Sequence, residues 1–410
     1  MMNYVRIPEI LLPNETIDIK NWAVIACDQF TSQEEYWEEL NKSVGEVSAL
    51  RVIYPEVYLG KNQEERIKSI KEKMKEYLFG EVFRKIDGFI LTVRKTKYGH
   101  RRVGLMISID LEQYNPFTND RAVKATEETV VERLPIRIQI RKNASIELPH
   151  ALILMDDDTK SIIEPIYDRR ESLDKLYDSE LNGDGGHIEG YLVDNPQEVL
   201  EGLELLINKE RLMRKYGTEN EFLFVVGDGN HSIAAAKAYW DELKVDLTEE
   251  ERENHPARYA LCELNNLYDD ELLFEPIHRV VFGAGEEFID AMTAALQGDS
   301  QIELNYRGKH YFVNIPSCAA VAIRDIQGFI DGYIKTNTGA MQDYVHGYQH
   351  TLAVAGSTGI AIFMPTIQKG EIFVYVEKNG VLPRKAFSMG EAEEKRYYLE
   401  SKLIKNNWRL

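Results

Sequence analysis

The stretch EFLFVVGDGNHSIAAAKAYWDEL, residues 221–243, joins an apolar run to an alanine-rich run through two glycines, an acid, an amide and an imidazole. The apolar run is short and rich in strand-forming residues. The alanine-rich run consists of strong helix formers and would place Ile233, Ala236, Tyr239 and Trp240 on one apolar face. We therefore predict a strand, a tight turn and a helix.

The turn itself has two interpretations. A helix start carries unpaired N–H groups and partial positive charge, so a glycine-lined approach favours a phosphate or carboxylate ligand. The predicted cofactor-binding residues are Gly227, Gly229, Asn230 and Ser232, and His231 in the first helical turn favours this functional interpretation. Alternatively, the glycines only permit positive φ, and Asn230 or Ser232 caps the helix. The pattern lacks the spacing of a dinucleotide fingerprint or a lysine-bearing nucleotide loop.

Length and composition limit the classes of protein. The 410 residues are enough for two or three domains, and the 44% hydrophobic and 29% charged content is typical of a soluble globular chain. A net charge of −19 argues against nucleic acid or anionic membrane as a partner. The chain has no apolar run of about 20 residues and no secretory leader at its start, so we expect a cytoplasmic protein.

The rest of the chain mixes strands and helices without a regular βαβ rhythm, which predicts an α+β fold with mixed sheets and packed helices. We expect regions 1–145, 146–255 and 256–410. Apolar spacing predicts a helix over 62–79. Thr31 or Ser32 can cap a following helix, and Pro196 near the first turn indicates helical structure over 195–216. Strands are predicted within 21–30 and at 88–95, 101–111, 134–142, 150–158 and, as a hairpin with an Asn-Gly turn, 369–385.

Acidic and basic clusters add further candidates. Carboxylates can hold Mg²⁺ or accept a proton, so Glu164 is the candidate catalytic base, whereas Asp156, Asp157 and Asp158 resemble an exposed polar turn. In the basic segment 121–141, a helix would align Arg121 with Lys124 and Glu128, and a strand would align Arg137 with Arg141. Arg121 and Arg137 are the candidate substrate-binding residues, although surface ion pairing is an equally good interpretation.

The histidines allow a metal site as a minor alternative. His187, His231 and His278 could share a metal ion, although their spacing does not require it. His346 and His350 are four residues apart and would face one metal on a helix. Gly347 between them, and the lack of an adjacent catalytic glutamate, speak against that site.

Several stretches together resemble the family called domain of unknown function 1015, over most of the chain. They are RRVGLMISIDLEQY, RAVKATEETVVERLPIRIQIRKNASIELPHALILMDD, GDGNHSIAAAK, PIHRVVF and GVLPRKAFSMGEAEEKRYYLESKLI. The loop 228–232 is also similar to the phosphate-binding turn of the ParB and sulfiredoxin-like group, which includes nucleotide-dependent free-serine kinases. Asn230 and Ser232 stand where that turn has histidine and arginine, so one cation is missing.

These observations predict an enzyme that binds ATP or ADP with Mg²⁺ and transfers a phosphoryl group to a small metabolite, such as an amino acid. His231 and the turn would stabilise the transferred group, Glu164 would be the base, and Asp228 would act in catalysis by holding the metal or fixing the turn. The alternatives are a nucleotide-sensing or partner-binding protein without turnover, and a metal-dependent hydrolase.

Overall fold

The computed structural model describes residues 4–406, and within them the chain divides into two compact units. Among the described residues, unit 1 comprises 4–125, 129–272 and 391–406, and unit 2 comprises 126–128 and 273–390. The boundaries expected near residues 145 and 255 both lie inside unit 1.

The helices of the described chain are distributed over both units. They are α1 (Ile19–Trp22), α2 (Glu34–Ser43), α3 (Gln63–Phe79), α4 (Leu134–Arg141), α5 (Ile163–Asp168), α6 (Pro196–Leu206), α7 (Lys209–Tyr216), α8 (Asn230–Leu243), α9 (Glu249–Asn254), α10 (Glu286–Ala295), α11 (Ala319–Thr336), α12 (Tyr348–Ala355) and α13 (Lys369–Asn379). Among residues 4–406, none of these helices combines the length and the apolar character that a bilayer crossing requires.

The strands are mostly short and alternate irregularly with the helices. They are β1 (Val5–Arg6), β2 (Glu9–Pro13), β3 (Val24–Ile25), β4 (Phe83–Asp87), β5 (Ile90–Lys95), β6 (Arg101–Asp110), β7 (Val123–Ala125), β8 (Ile146–Glu147), β9 (Leu152–Met155), β10 (Asp174–Glu180), β11 (His187–Leu192), β12 (Phe224–Asp228), β13 (Tyr259–Asn266), β14 (Phe274–Phe282), β15 (Ser300–Tyr306), β16 (Lys309–Ile315), β17 (Met341–His346), β18 (Ile360–Ile362), β19 (Phe387–Met389), β20 (Tyr397–Tyr398) and β21 (Lys402–Leu403).

Unit 1 is organised around a mixed sheet in the order β10-β11-β5-β6-β13-β9-β12-β7, with β1 paired to β6. The first five strands in this order, β10-β11-β5-β6-β13, are each antiparallel to the next. The pair β13–β9 is parallel, β9–β12 is antiparallel, and β12–β7 is parallel. The buried core includes Trp22, Trp37 and Trp240. The predicted α+β class with mixed sheets is thus confirmed.

Unit 2 contains an antiparallel sheet in the order β16-β15-β18-β14-β17, and β19 also pairs with β14. Helix α11 supplies a long apolar face to this unit, because Ile323, Ile326 and Ile330 recur three and four residues apart and are fully buried.

Several predicted elements are confirmed. Helix α3 buries the predicted positions Ile67, Ile70, Met74, Tyr77 and Leu78. Strands β5 and β6 form the predicted antiparallel pair, and β9, β12 and α8 lie where the apolar runs indicated.

Other expectations were wrong at the level of local structure. Residues 134–141 form α4 rather than a strand, and 369–379 form α13 rather than half of a hairpin. The helix over 195–216 is two helices, because Asn208 caps α7 with its side chain at Glu210 N and Arg211 N. Helix α2 begins after Gln33, and neither Thr31 nor Ser32 is its N-cap.

The helical alternatives considered for the basic and histidine patterns are not formed. Residues 123–125 form β7, so Arg121, Lys124 and Glu128 do not share a helical face. His346 ends β17 and His350 lies in α12, so the two histidines do not share one helix.

Candidate functional site

Gly229 at the turn has a conformation and a neighbour that exclude a side chain. It is the N-cap of α8 with φ of +78°, in the left-handed region. A Cβ built on it would lie 2.9 Å from Ala151 Cα. Gly227 lies in β12 where the register with β9 shifts, between Val226 and Asp228. The two glycines thus permit a bulge and a tight approach between β12 and the chain before β9.

Some N–H groups of this turn are already used within it. Gly229 N–H donates to Asp228 Oδ1 at 2.8 Å, and the N–H groups of Ser232 and Ile233 donate to Gly229 O at 2.9 and 3.2 Å. No side chain caps α8. An anion at this turn would therefore interact with the positive end of α8 and with neighbouring side chains.

Asp228 forms an ion pair that sequence reasoning missed. Lys395 Nζ lies 3.1 Å from Asp228 Oδ2, and both side chains are half-buried or more. Burial alone would raise the pKa of Asp228, but Lys395 and then His150 hold it below its usual value. The carboxylate is therefore charged at neutral pH and lies beside two cationic or basic groups.

His231 has a structural contact. Its Nε2 accepts the backbone N–H of Val130 at 3.1 Å, which ties the first turn of α8 to the chain before α4. An Nε2 that accepts this bond carries no proton, so the proton of the neutral ring is on Nδ1. The contact accounts for a histidine here without a ligand, and the catalytic role of His231 stays a prediction.

A cavity of about 140 Å³ adjoins the first two turns of α8. Ser232 and Ala235, three residues apart on α8, line it, as do residues of α4, which packs against α8. Most of the lining is apolar, and the polar lining residues are Cys27, Tyr54, Glu56, Arg137, Arg141, Glu147, His150, Ser232 and Tyr398.

One wall of this cavity carries half-buried ion pairs. Arg137 donates to Glu56, and Arg141 donates to Glu147. Burial raises the pKa of Glu56, and the charge of Arg137 offsets part of this rise. A carboxylate with a raised pKa beside a cavity is a stronger base than an exposed one.

Tyr398 is at the centre of a second cluster of polar side chains. Its hydroxyl lies 2.7 Å from His150 Nδ1 and 3.0 Å from Cys27 Sγ, and it accepts the N–H of Cys27 at 3.3 Å. His150 Nε2 is 3.9 Å from Asp28 Oδ2. Burial raises the pKa of Tyr398 well above its usual value, so the hydroxyl keeps its proton and can bridge these groups.

The structure brings only some of the predicted residues together. Arg137, Ser232 and the 227–231 turn lie on neighbouring elements of unit 1. Arg121 precedes β7, and Val123 pairs with Phe224 at the start of β12, whereas the turn follows Asp228 at its end. Because a strand rises about 3.3 Å per residue, these ends are about 13 Å apart. Arg121 is exposed and lies 3.8 Å from Asp120.

Glu164 also lies at the far end of the sheet. Its Oε1 accepts Asn266 Nδ2 at 2.8 Å, and Asn266 and Phe224 both pair with Met155. Its Oε2 is buried without a hydrogen-bond partner among the described residues, and burial raises its pKa. This geometry separates Glu164 from the turn that it was predicted to serve.

The neighbouring aspartates have structural contacts. Asp156 and Asp157 are buried rather than exposed, so the polar-turn interpretation was wrong for them. Asp157 Oδ2 accepts the N–H groups of Ser161 and Ile162 at 2.6 and 3.1 Å, and Asp156 accepts from Lys215 and Tyr216. Asp158 is exposed, with Lys215 Nζ at 3.1 Å.

The alternative metal site of His187, His231 and His278 is not assembled in residues 4–406. The side chains close enough to share an ion there are Asp178, His187 and Glu189, a group that contains neither His231 nor His278. Lys175 Nζ already lies 2.7 Å from both acids of this group.

Sequence reasoning missed His150, Lys395, Tyr398 and Glu56. The stretches that contain His150, Lys395 and Tyr398 were the ones that carried the family resemblance, and this was the available signal. No spacing rule links residues so far apart, because only the sheet and the C-terminal segment bring them together.

Comparison with known proteins identifies the family of the chain and several solved structures that are remotely similar to it. No curated protein matches the chain in sequence. A conserved hypothetical protein from Pyrococcus furiosus is similar at 11% identity and a TM-score of 0.35, covering 73% of this chain and 95% of that one. A mutant free serine kinase in complex with AMP is similar at 10% identity and a TM-score of 0.38, with coverages of 73% and 91%. SbnI from Staphylococcus aureus, truncated at its C terminus, is similar at 8% identity and a TM-score of 0.34, with coverages of 74% and 85%.

The family model described as "Protein of unknown function (DUF1015)" matches residues 11–400, a range that includes the turn, the cavity and the C-terminal segment carrying Lys395 and Tyr398. The chain therefore belongs to the DUF1015 family.

Proposed function

We propose that the protein is a nucleotide-dependent phosphotransferase that acts on a small metabolite in the cavity beside α8. The observation that carries the proposal is the position of this cavity. It is lined by Ser232, Arg137 and His150, next to a glycine turn whose Asp228 is charged and paired with Lys395. Phosphoryl transfer depends mainly on positioning and on cations around the transferred group, and these residues would supply both.

The size of the cavity indicates which of the two substrates, acceptor or nucleotide, would occupy it. A cavity of roughly 150 Å³ holds one benzene-sized molecule. The cavity of about 140 Å³ is therefore suited to the acceptor metabolite. The nucleotide phosphates would lie outside it, at the positive end of α8.

Glu56 replaces Glu164 as the proposed base. It lines the cavity, and its pKa is raised by burial. The acceptor hydroxyl would lose its proton to Glu56 while its oxygen attacks the terminal phosphorus of ATP, and ADP would leave with the electron pair of the broken P–O bond. Arg137 and Lys395 would then balance the charge of the acceptor and the phosphates.

Asp228 would hold Mg²⁺ if the reaction uses it. Carboxylate oxygens are ligands that Mg²⁺ accepts, and Asp228 is charged and half-buried. The ion would neutralise charge on the phosphate oxygens. Lys395 would share this carboxylate with it.

The test is incubation of the protein with ATP, Mg²⁺ and a pool of hydroxylated metabolites and amino acids, read by mass spectrometry. Glu56→Gln should keep nucleotide affinity and lower turnover by about 10² or more. Glu164→Gln and Arg121→Met are matched controls, because both residues lie at the other end of the sheet, and they should keep full activity.

Two outcomes would contradict this proposal. No binding of ATP or ADP at millimolar concentration would remove nucleotide chemistry altogether. Binding without any product, across the whole pool, would instead support a nucleotide sensor.

A further inference from the structure

The cavity beside α8 has a mainly apolar lining. Its volume of about 140 Å³ is close to the roughly 150 Å³ that encloses one benzene molecule. More than half of its lining residues are apolar, among them Met74 of α3, Ile136 and Ile140 of α4 and Ala235 of α8. Apolar surface gains free energy when it leaves water for such a lining. The cavity therefore suits a ligand with an apolar body of about six non-hydrogen atoms.

The charged side chains of the lining are paired with one another. Arg137 donates to Glu56, and Arg141 donates to Glu147. Lys402 lies outside the lining, with its Nζ 3.7 Å from Glu147 Oε1. A charged ligand would have to break one of these pairs or enter a half-buried site without a counter-charge. The pairs thus disfavour both anions and cations as ligands.

The other ionisable lining residues add no uncompensated charge. Burial raises the pKa of the Cys27 thiol and of the Tyr54 and Tyr398 hydroxyls, so these groups keep their protons at neutral pH. A proton on His150 would be balanced by Asp28, because His150 Nε2 is 3.9 Å from Asp28 Oδ2. The lining is therefore electrically balanced, which favours an uncharged ligand.

Two lining residues can bind a hydroxyl group of such a ligand. His150 Nδ1 lies 2.7 Å from the Tyr398 hydroxyl, whereas His150 Nε2 makes no hydrogen bond among the described residues. Glu56 has two carboxylate oxygens, so it can accept from a hydroxyl while Arg137 remains bound. When the Tyr398 hydroxyl donates to Nδ1, the proton of the neutral imidazole is on Nε2. A ligand hydroxyl can then accept from His150 while it donates to Glu56.

We propose that this cavity binds an uncharged alcohol with a compact aliphatic body of about five carbons, whose hydroxyl contacts Glu56 and His150. The inference rests on the proposed function in one respect, because it makes such an alcohol the phosphoryl acceptor rather than an amino acid, which carries charges of both signs. Binding of the alcohol itself requires neither a nucleotide nor turnover.

The test is a titration of the full chain without nucleotide, followed by ligand-observed NMR, with three ligands that share one branched body. Isopentyl alcohol is neutral, isovalerate is an anion and isopentylammonium is a cation. We expect the alcohol to bind at millimolar concentration and at least about tenfold more tightly than either ion, because each ion would disturb an existing pair. Ethylene glycol keeps the hydroxyl without the apolar body and should also bind at least about tenfold more weakly. Equal or tighter binding of either ion would overturn the proposal.

Filling the cavity should weaken this binding. Ala235→Val adds two methyl groups to a lining residue of α8 and should weaken the binding of isopentyl alcohol by about tenfold or more. Ala238→Val is the matched control, because it makes the same change on the same helix at a residue outside the lining. Thermal melting shows whether each variant is folded. Unchanged affinity in a folded Ala235→Val variant would also overturn the proposal.

A change of charge gives an independent test that leaves the size of the cavity unaltered. Glu56→Gln keeps the size of the side chain, removes the carboxylate that Arg137 binds, and gives the lining an excess positive charge. This variant should bind isovalerate about tenfold more tightly than the unmutated protein does, and it should prefer isovalerate to the alcohol. Glu164→Gln, outside the cavity, should keep the preference for the alcohol. The same order of affinities in Glu56→Gln as in the unmutated protein would contradict the proposal.

Product analysis separates this binding from the proposed reaction. If isopentyl alcohol binds with the stated preference but yields no phosphorylated product with ATP and Mg²⁺, the proposed function fails and the ligand class of the cavity stands. If an amino acid is phosphorylated and isopentyl alcohol does not bind, the proposed function stands and the inference fails.

Discussion

At Gly229 two independent constraints exclude any side chain, namely the left-handed backbone and the approach of Ala151. Other residues of the site are held by electrostatic and hydrogen-bond contacts rather than by steric exclusion. Asp228 keeps its charge because Lys395 and His150 outweigh the effect of burial. His231 accepts a hydrogen bond from the backbone N–H of Val130. The turn is therefore fixed by backbone geometry first and by side-chain contacts second.

Gly229→Ala should destabilise the protein more than Gly217→Ala. Both glycines have positive φ, +78° and +74°, but a Cβ at Gly217 would meet nothing within 4 Å. The shared backbone strain costs about 1 kcal/mol, and the contact with Ala151 adds to it at Gly229 alone. Urea unfolding of both variants measures the difference. Equal losses of unfolding free energy would mean that the approach of Ala151 is not a constraint.

At the scale of elements, the C-terminal segment 391–404 completes the site. It carries Lys395 and Tyr398, and it is anchored by Arg396, which donates to the buried Glu263 and Glu400. Arg94 binds the same segment through the backbone carbonyls of 393–395. A buried cation between two buried acids thus fixes the segment that presents the site residues.

Arg396→Met should cost about 3–5 kcal/mol of unfolding free energy, because it leaves the buried Glu400 without its cationic partner and leaves Glu263 with Arg102 as its remaining cation. Arg121→Met is the matched control, since the exposed pair of Arg121 with Asp120 is worth less than about 1 kcal/mol. Denaturant unfolding compares the two variants. A loss below 1 kcal/mol in Arg396→Met would show that the buried pairs do not hold the segment.

At the scale of the whole molecule, acid should act on His278 of unit 2 and on Glu263 of unit 1 at different pH values. In unit 2, burial, aided by His346 and Arg279, lowers the pKa of His278 from 6.5 to about 4. In unit 1, burial alone would raise the pKa of Glu263, but Arg102 and Arg396 lower it from 4.5 to about 2. Both groups bind protons more readily in the unfolded chain, so each loses stability as the pH falls through its own window.

Unit 2 should therefore lose the contribution of His278 between about pH 6.5 and 4, and unit 1 should lose the contribution of Glu263 between about pH 4.5 and 2. Hydrogen exchange by mass spectrometry over this range would follow peptides of each unit. In His278→Gln the decline of unit 2 above pH 4 should be smaller. An unchanged pH profile in this variant would contradict the assignment.

The sequence by itself determined the α+β class, the β12-turn-α8 junction, helix α3 and the β5–β6 pair. In each of these, local propensity and apolar spacing agree with the observed environment. The sequence-based prediction was wrong for α4 and α13. The alternating pattern of 134–141 predicted a strand, but Ile136 and Ile140 also lie four apart and can share one face of a helix packed on α8.

Only the tertiary structure decided which charged residues form the candidate site. His150, Lys395, Tyr398 and Glu56 are far apart in the chain, and the C-terminal segment and the sheet register bring them beside the turn. The same register places Arg121 and Glu164 at the opposite end of β12. Residue type indicated which side chains have suitable chemistry. Because a strand rises about 3.3 Å per residue, the position of each residue along its strand determined which of these side chains lie close enough to form one site.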